Sequence, residues 1–263
     1  MICIYNISYD KYKNQIILIM IYLFEIYQRI CNLIFFLTSK KQERTLINDC
    51  IRSDFNTTTK YCLWKTLKIF KKATNQKLFE YNFVECGVWK GVYLIFFQKL
   101  IELNNLKNCK IYGFDTFEGM PEPKVHDVTK KNESMLEKYK SLKINDKTSN
   151  WNLTKIKKVK DNYLKNTIKN NNLILVKGKV EDTLIDKNNI LKEISILKLD
   201  TCLYEGTKIE LEILFPKVKR GGVIIIDNYY NFKGVKKATD EFLIGKHHDV
   251  EYSRITSRVT IYK

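Results

Sequence analysis

Five short apolar runs, NFVEC (82–86), KIYGF (110–114), LILVK (173–177), ISILKL (194–199) and GVIIID (222–227), are rich in β-branched and aromatic residues and are mostly separated by helical patterns. That alternation constrains the fold more than any other feature of the chain. Strand, helix, strand in repetition calls for crossover connections, and these place the strands in a parallel sheet covered on both faces. Helical spacing is read at 92–104, 154–169, 204–214 and 234–244. The terminal SRITSRVTIYK alternates with no helix before its last strand, which predicts an antiparallel edge pair. The expected class is α/β, a doubly wound, Rossmann-like sheet, mostly parallel with an antiparallel last strand. Such sheets bind ligands outside the carboxyl ends of their strands.

The turn residues are distributed one-sidedly. All ten glycines and all three prolines lie between Gly87 and Gly245, so residues 1–79 are read as an N-terminal helical extension and 80–263 as the main domain. Within the extension, YCLWKTLKIFKKA (61–73) spaces Leu63, Trp64, Leu67 and Phe70 as one helical face. Residues 16–37, IILIMIYLFEIYQRICNLIFFL, interrupt an apolar helix at only four positions, Glu25, Gln28, Arg29 and Asn32, all on one stripe. The uninterrupted apolar run is too short for a simple membrane span, and no small-residue cleavage site follows it, which argues against a signal peptide. A helix packed in the core or in an oligomer interface, a helix lying on a membrane surface, and a true span stay open for it.

The net charge of +17 would suggest nucleic acid as a partner, but much of it has one address. Residues 124–172 hold thirteen lysines against five acids, nine asparagines and neither Gly nor Pro. That stretch reads as a polar inserted lid with a solvated lysine face, and its aromatics do not interleave with the basic positions as a base-stacking platform needs. Seven cysteines, an odd number, show no CxxC or Cys/His zinc spacing, which implies free thiols in a reducing compartment, the cytoplasm. His126, His247 and His248 offer no ligand pattern.

Chemistry is expected at the strand ends. The first run leads into FVECGVWKG, where Glu85, Gly87 and Gly91 precede a helix, glycines letting a ligand approach the backbone and its amides. The G-x-G-x-x-G fingerprint of nicotinamide enzymes is missing. The next runs end at Asp115, at Glu181 and Asp182 of VKGKVEDTL, at Asp200, and at Asp227 followed by Asn228. A single such acid caps a helix or solvates a loop. Five consecutive strands that all terminate in acids call for another reason.

The blocks ECGVWKG, IYGFDTFEGMPEP, VKGKVEDTL, LKLDTCLYEGTK and GGVIIIDNYYNFKGVKKATDEF, in this order over residues 80–263, resemble the macrocin O-methyltransferase (TylF-type) family of S-adenosylmethionine-dependent enzymes. The resemblance implies a class I methyltransferase fold and transfer of a methyl group from S-adenosylmethionine to a sugar hydroxyl of a glycan or glycosylated metabolite, with Mg²⁺ bound. It implies that Glu85, Cys86, Gly87 and Gly91 cradle the methionine part of the cofactor, that Asp115 and Thr116 hold its ribose, and that Val180, Glu181 and Asp182 border its adenine. It implies a metal on Asp200, Asp227 and Asn228. The family typically reads LDGDLYEST where this chain reads LDTCLYEGT, so Thr201 stands for Gly, Cys202 for the Asp that acts as general base, and Gly206 for Ser. With Asp200 and Cys202 as the catalytic positions, three readings follow: metal activation alone, a base from elsewhere such as His126 or a lid lysine, or a weakened, non-catalytic member that binds. Trp151 is a candidate sugar-stacking residue or a helix anchor. The implied partner is a small molecule or glycan, with membrane contact through 16–37 and homo-oligomerisation both open.

Overall fold

The computed structural model describes residues 19, 22–23, 25–51, 58–74, 82–146, 148–168, 172–186, 191 and 193–263. The chain divides into two compact units, Met1–Thr45 and Leu46–Lys263. In the first, the described helical positions 19, 22–23 and 25–38 make up α1, and α2 (Lys41–Ile51) begins. The described residues of the expected 16–37 helix are indeed helical, and the rest lie outside the described residues. No helix among the described residues is long and apolar enough to cross a membrane.

The second unit is a seven-stranded sheet in the order β3-β2-β1-β4-β5-β7-β6. Its strands are β1 (Asn82–Cys86), β2 (Ile111–Asp115), β3 (Leu173–Lys177), β4 (Ile194–Leu199), β5 (Val218–Ile226), β6 (Asp249–Ser253) and β7 (Arg258–Tyr262). Strands β1 to β5 pair in parallel, while β7 is antiparallel to both β5 and β6. The expected doubly wound sheet with an antiparallel terminal pair is therefore present. Strand β5 starts earlier than its β-branched run, because VKRG joins the ladder across an irregularity that pairs Ile194 with Val218 but Ile196 with Val223.

Helices α3 (Lys60–Thr74), α4 (Val92–Leu103), α5 (Met135–Leu142), α6 (Ile156–Asn166), α7 (Val180–Asp186), α8 (Tyr204–Leu214) and α9 (Lys233–Leu243) complete the unit. Helix α3, which the sequence reading places in the extension, belongs to this unit, and its Leu63, Trp64, Leu67 and Phe70 are all buried.

Alternation along the strands sorts the core into two faces. Phe83 of β1 stacks between Phe70 of α3 and Phe97 of α4, with ring centroids 6.2 and 5.2 Å away. On the opposite face Val84 and Cys86 join Leu197, Leu199, Leu211, Ile224 and Val259 in one cluster with Val180 of α7. Each such fully buried aliphatic or aromatic side chain contributes roughly 1.5–3 kcal/mol. The two-face division decides which strand residues can reach a ligand. Within the 124–172 segment, α6 is the crossover helix between β2 and β3, its Tyr163 hydroxyl donating to Gln98 of α4 at 2.7 Å. The lid proper is the part before it. Asp127 anchors that part, accepting the Tyr204 amide at the start of α8 (3.0 Å) and the Lys124 amide (2.9 Å).

Candidate functional site

The sheet order reverses between β1 and β4, and at their carboxyl ends lies a cavity of about 410 Å³. That is where a doubly wound sheet opens a crevice. Glu85, Gly87, Asp115, Thr116, Val180, Glu181, Asp200, Cys202, Asp227 and Asn228 all line it. Three expected residues do not. Cys86 points to the opposite sheet face and is fully buried there, Gly91 touches Val159 of α6, and Asp182 lies one residue further along α7.

The β1–β2 side is built from backbone. Gly87 has φ +81°, and a Cβ on it would lie 2.4 Å from the Asp200 carbonyl oxygen, so two strand ends meet there because this residue has no side chain. Asp115 accepts the amides of Val88 (2.8 Å) and Trp89 (2.9 Å) on one oxygen and that of Phe117 (2.7 Å) on the other. It thereby fixes both loops around the cavity, and burial raises its pKa against those hydrogen bonds. The Thr116 hydroxyl donates to the Gly119 carbonyl at 2.6 Å.

The β4–β5 side is built from charge. Lys198, fully buried on the α3/α4 face, sits 2.6 Å from Asp200, 3.4 Å from Asp227 and 3.4 Å from Glu85. Arg258 of β7 donates to Asp227 at 2.8 Å and to the Tyr93 hydroxyl at 2.5 Å, and reaches Thr66 and the Cys62 carbonyl of α3. Two cations thus face three acids. Burial pushes Glu85 up to about 8 against the pull of Lys198, so it is protonated at neutral pH and the remaining charges balance. Burial likewise pushes Asp200 up to about 6. For Asp227 burial acts upward too, but Arg258 and Lys198 outweigh it and hold the group low.

Cys202 stands among these acids. Burial, then Asp200 and Asp227, push its thiol well above the usual range. The sulfur donates to the Asp200 carbonyl at 3.5 Å and accepts Asn228 Nδ2 at 3.3 Å, as a neutral thiol does. Trp89, Cys202 and Asn228, all lining the cavity, have φ between +47° and +71° without being glycine. Backbone strain of this kind gathers where the surroundings over-determine it. The two other departures from the family pattern touch each other: a Cβ on Gly206 would lie 3.0 Å from the Thr201 hydroxyl oxygen. Thr201 crowds the place that a side chain at 206 would take.

Asp200, Asp227 and Asn228 converge, with Asn228 Nδ2 2.7 Å from Asp200 Oδ1. Two carboxylates and an amide can supply the hard oxygen donors that Mg²⁺ takes, so the residues fit that ion in kind. The Asn228 amide here turns its nitrogen to Asp200 while its oxygen accepts Asn231 Nδ2 at 3.0 Å, so it must turn over to serve as a ligand. Among the described residues no group of three or more His, Cys, Asp and Glu side chains could hold a metal, so the set reaches three ligands only with the Asn228 amide. Opposite it, Met120, Trp151 and Leu203 form an apolar wall against which Phe232 packs. His126 is exposed, edge-on to Tyr204, and does not line the cavity.

Lys198 and Arg258 were not foreseen from the sequence. Lys198 had a signal, a lone charge inside a strand whose neighbours are all apolar; Arg258 had none, since its role comes from the pairing of β7 with β5.

Known proteins place this geometry. A demethyldecarbamoylnovobiocin O-methyltransferase of Streptomyces niveus is 25% identical over 162 residues, 61% of this chain and 57% of that protein. An 8-demethyl-8-(2,3-dimethoxy-alpha-L-rhamnosyl)-tetracenomycin-C 4'-O-methyltransferase of Streptomyces olivaceus is 26% identical over 148 residues, 56% and 52%. The matched part of this chain thus spans little more than half the length of either relative. Among solved structures, the O-methyltransferase NovP superposes with a TM-score of 0.64 at 19% identity, covering 82% of this chain and 88% of that one, which shows a class I methyltransferase fold. The sequence profile of the macrocin-O-methyltransferase (TylF) family matches residues 9–262, nearly the whole length, and the chain belongs to that family.

Proposed function

We propose that the chain is an O-methyltransferase that moves the methyl group of S-adenosylmethionine to a hydroxyl of a sugar carried by a small molecule, with Mg²⁺ held by Asp200, Asp227 and Asn228. The observation that carries this reading is one cavity at the sheet's switch point with two unlike walls, a glycine-shaped cradle at β1 and an oxygen-donor cluster at β4 and β5. The relatives named for sugar and antibiotic O-methylation support the acceptor class. Glu85, Gly87, Asp115 and Thr116 border the methionine and ribose parts of the donor, and Val180 and Glu181 its adenine. Met120 and Trp151 offer the apolar wall on which a sugar ring rests.

In the reaction the acceptor oxygen forms a bond to the methyl carbon, the carbon–sulfur bond breaks, and S-adenosylhomocysteine leaves as the hydroxyl proton passes to a base. Bound at its site, Mg²⁺ supplies Lewis-acid acidification of that hydroxyl. Cys202, as a neutral thiol, orients Asn228 and leaves the proton to another group. Glu85 is already protonated, Asp227 is held by Arg258, and Asp200 is held by Lys198 at 2.6 Å and would be taken up by the ion, so the base that receives the proton lies outside this cluster. Titration calorimetry of the purified chain with S-adenosylhomocysteine, with Mg²⁺ and with EDTA, checks the reading. Cofactor binding in either medium and sugar methylation that EDTA abolishes are expected; no binding of the cofactor in either medium overturns it.

A further inference from the structure

Helix α1 has three faces. Cys31, Phe35 and Ser39 are buried, while Glu25, Arg29 and Asn32 form an exposed polar stripe. The third face carries Ile19, Leu23, Ile26, Ile30, Leu33 and Leu37, which follow one another at alternating steps of four and three residues. All six are exposed, from 37% at Ile26 to 70% at Leu37. Steps of four and three average about 3.5 residues, the spacing that keeps an apolar seam turned toward a second helix over its whole length. A patch of this kind is too large and too regular for scattered surface hydrophobics.

We propose that this seam is the surface through which two copies of the chain pair, α1 against α1. Lipid is the competing occupant, and charge argues against it. An interfacial membrane helix takes part of its affinity from lysines and arginines beside the apolar face. Here the polar stripe pairs one acid, Glu25, with one base, Arg29, and has no net charge. Extent agrees with a protein partner: the seam runs from Ile19 to Leu37, and exposed Tyr22, at helical spacing from Ile26 and Arg29, widens it. A second helix with the same seam supplies knobs for its holes without any further component.

Sedimentation velocity of the full chain over about a hundredfold dilution series tests the pairing, beside the triple variant Ile26→Gln, Ile30→Gln, Leu33→Gln. The native chain sediments as a dimer, and the variant, with an unchanged melting temperature, dissociates at least about a hundredfold more easily. Because the variant could lose its helix, disulfide trapping gives a second readout. Leu33→Cys under mild oxidation yields linked chains, whereas Asn32→Cys, on the polar stripe, does not. A native chain that stays monomeric overturns the proposal, as does equal trapping at both positions. Co-sedimentation of a monomeric chain with phosphatidylcholine–phosphatidylserine vesicles would assign the seam to lipid instead.

Discussion

The two sides of the cavity solve one problem by different means. On the β1–β2 side, ligand space is carved by backbone: a glycine lets Asp200 approach, and Asp115 ties down three amides. On the β4–β5 side it is defined by side chains whose charges nearly cancel, Lys198 and Arg258 against Glu85, Asp200 and Asp227. A wall of backbone fails through steric overlap, which is local. A wall of buried charge fails through desolvation, and every member then feels the loss of one.

Lys198→Met is the harshest test of that contrast. It leaves buried Glu85 and half-buried Asp200 and Asp227 with Arg258 as their cation, and the fold should lose about 3–5 kcal/mol in chemical denaturation. A loss below about 1 kcal/mol would mean that the charged wall is no more cooperative than surface ion pairs. Gly87→Ala comes next. Its Cβ meets a carbonyl oxygen at 2.4 Å in a left-handed backbone, so a loss of about 1–3 kcal/mol is expected, with weaker binding of S-adenosylhomocysteine. Unchanged stability would show that the two strand ends move apart freely.

A third variant, Glu85→Gln, tests where the two walls meet. Glu85 keeps its proton in the folded state up to about pH 8, against an ordinary value of 4.5. Between those limits the folded chain holds a proton that the unfolded chain releases, so this group lowers stability as pH rises through the window and has no effect below it. Glutamine cannot titrate. The melting temperature of the variant relative to the native chain should therefore climb steadily from pH 5 to pH 8, and parallel curves would show that Glu85 is ionised after all.

Most of the sheet was legible because its strands are covered on both faces, so they appear as apolar runs such as ISILKL with acids at their tips. Element edges were less so: β2 begins one residue later than KIYGF, and β5 recruits VKRG across an irregularity that no periodicity announces. In the candidate site, Gly87 and Asp200 stood out through residue type and position. Cys86 looked equivalent to Glu85 in the motif, but a strand alternates, and the sulfur faces the α8 side. Arg258 was beyond reach, since its partners Asp227, Tyr93 and Thr66 lie far away in sequence and meet only after the hairpin folds against β5. Buried Glu210 is similar. Burial raises its pKa well above the usual carboxylate range, with Thr201 and Cys86 beside it.

The contact between Thr201 and position 206 bears on how such chains are found and aligned. A profile scores each column as an independent event, so threonine for glycine and glycine for serine register as two losses. Physically they meet in one contact: the Thr201 hydroxyl oxygen lies 3.0 Å from where a Cβ at 206 would stand, so the size of one position limits the other. A serine placed at 206 by itself would press its Cβ against that oxygen, so the two positions change size together or the loop gives by a few tenths of an ångström.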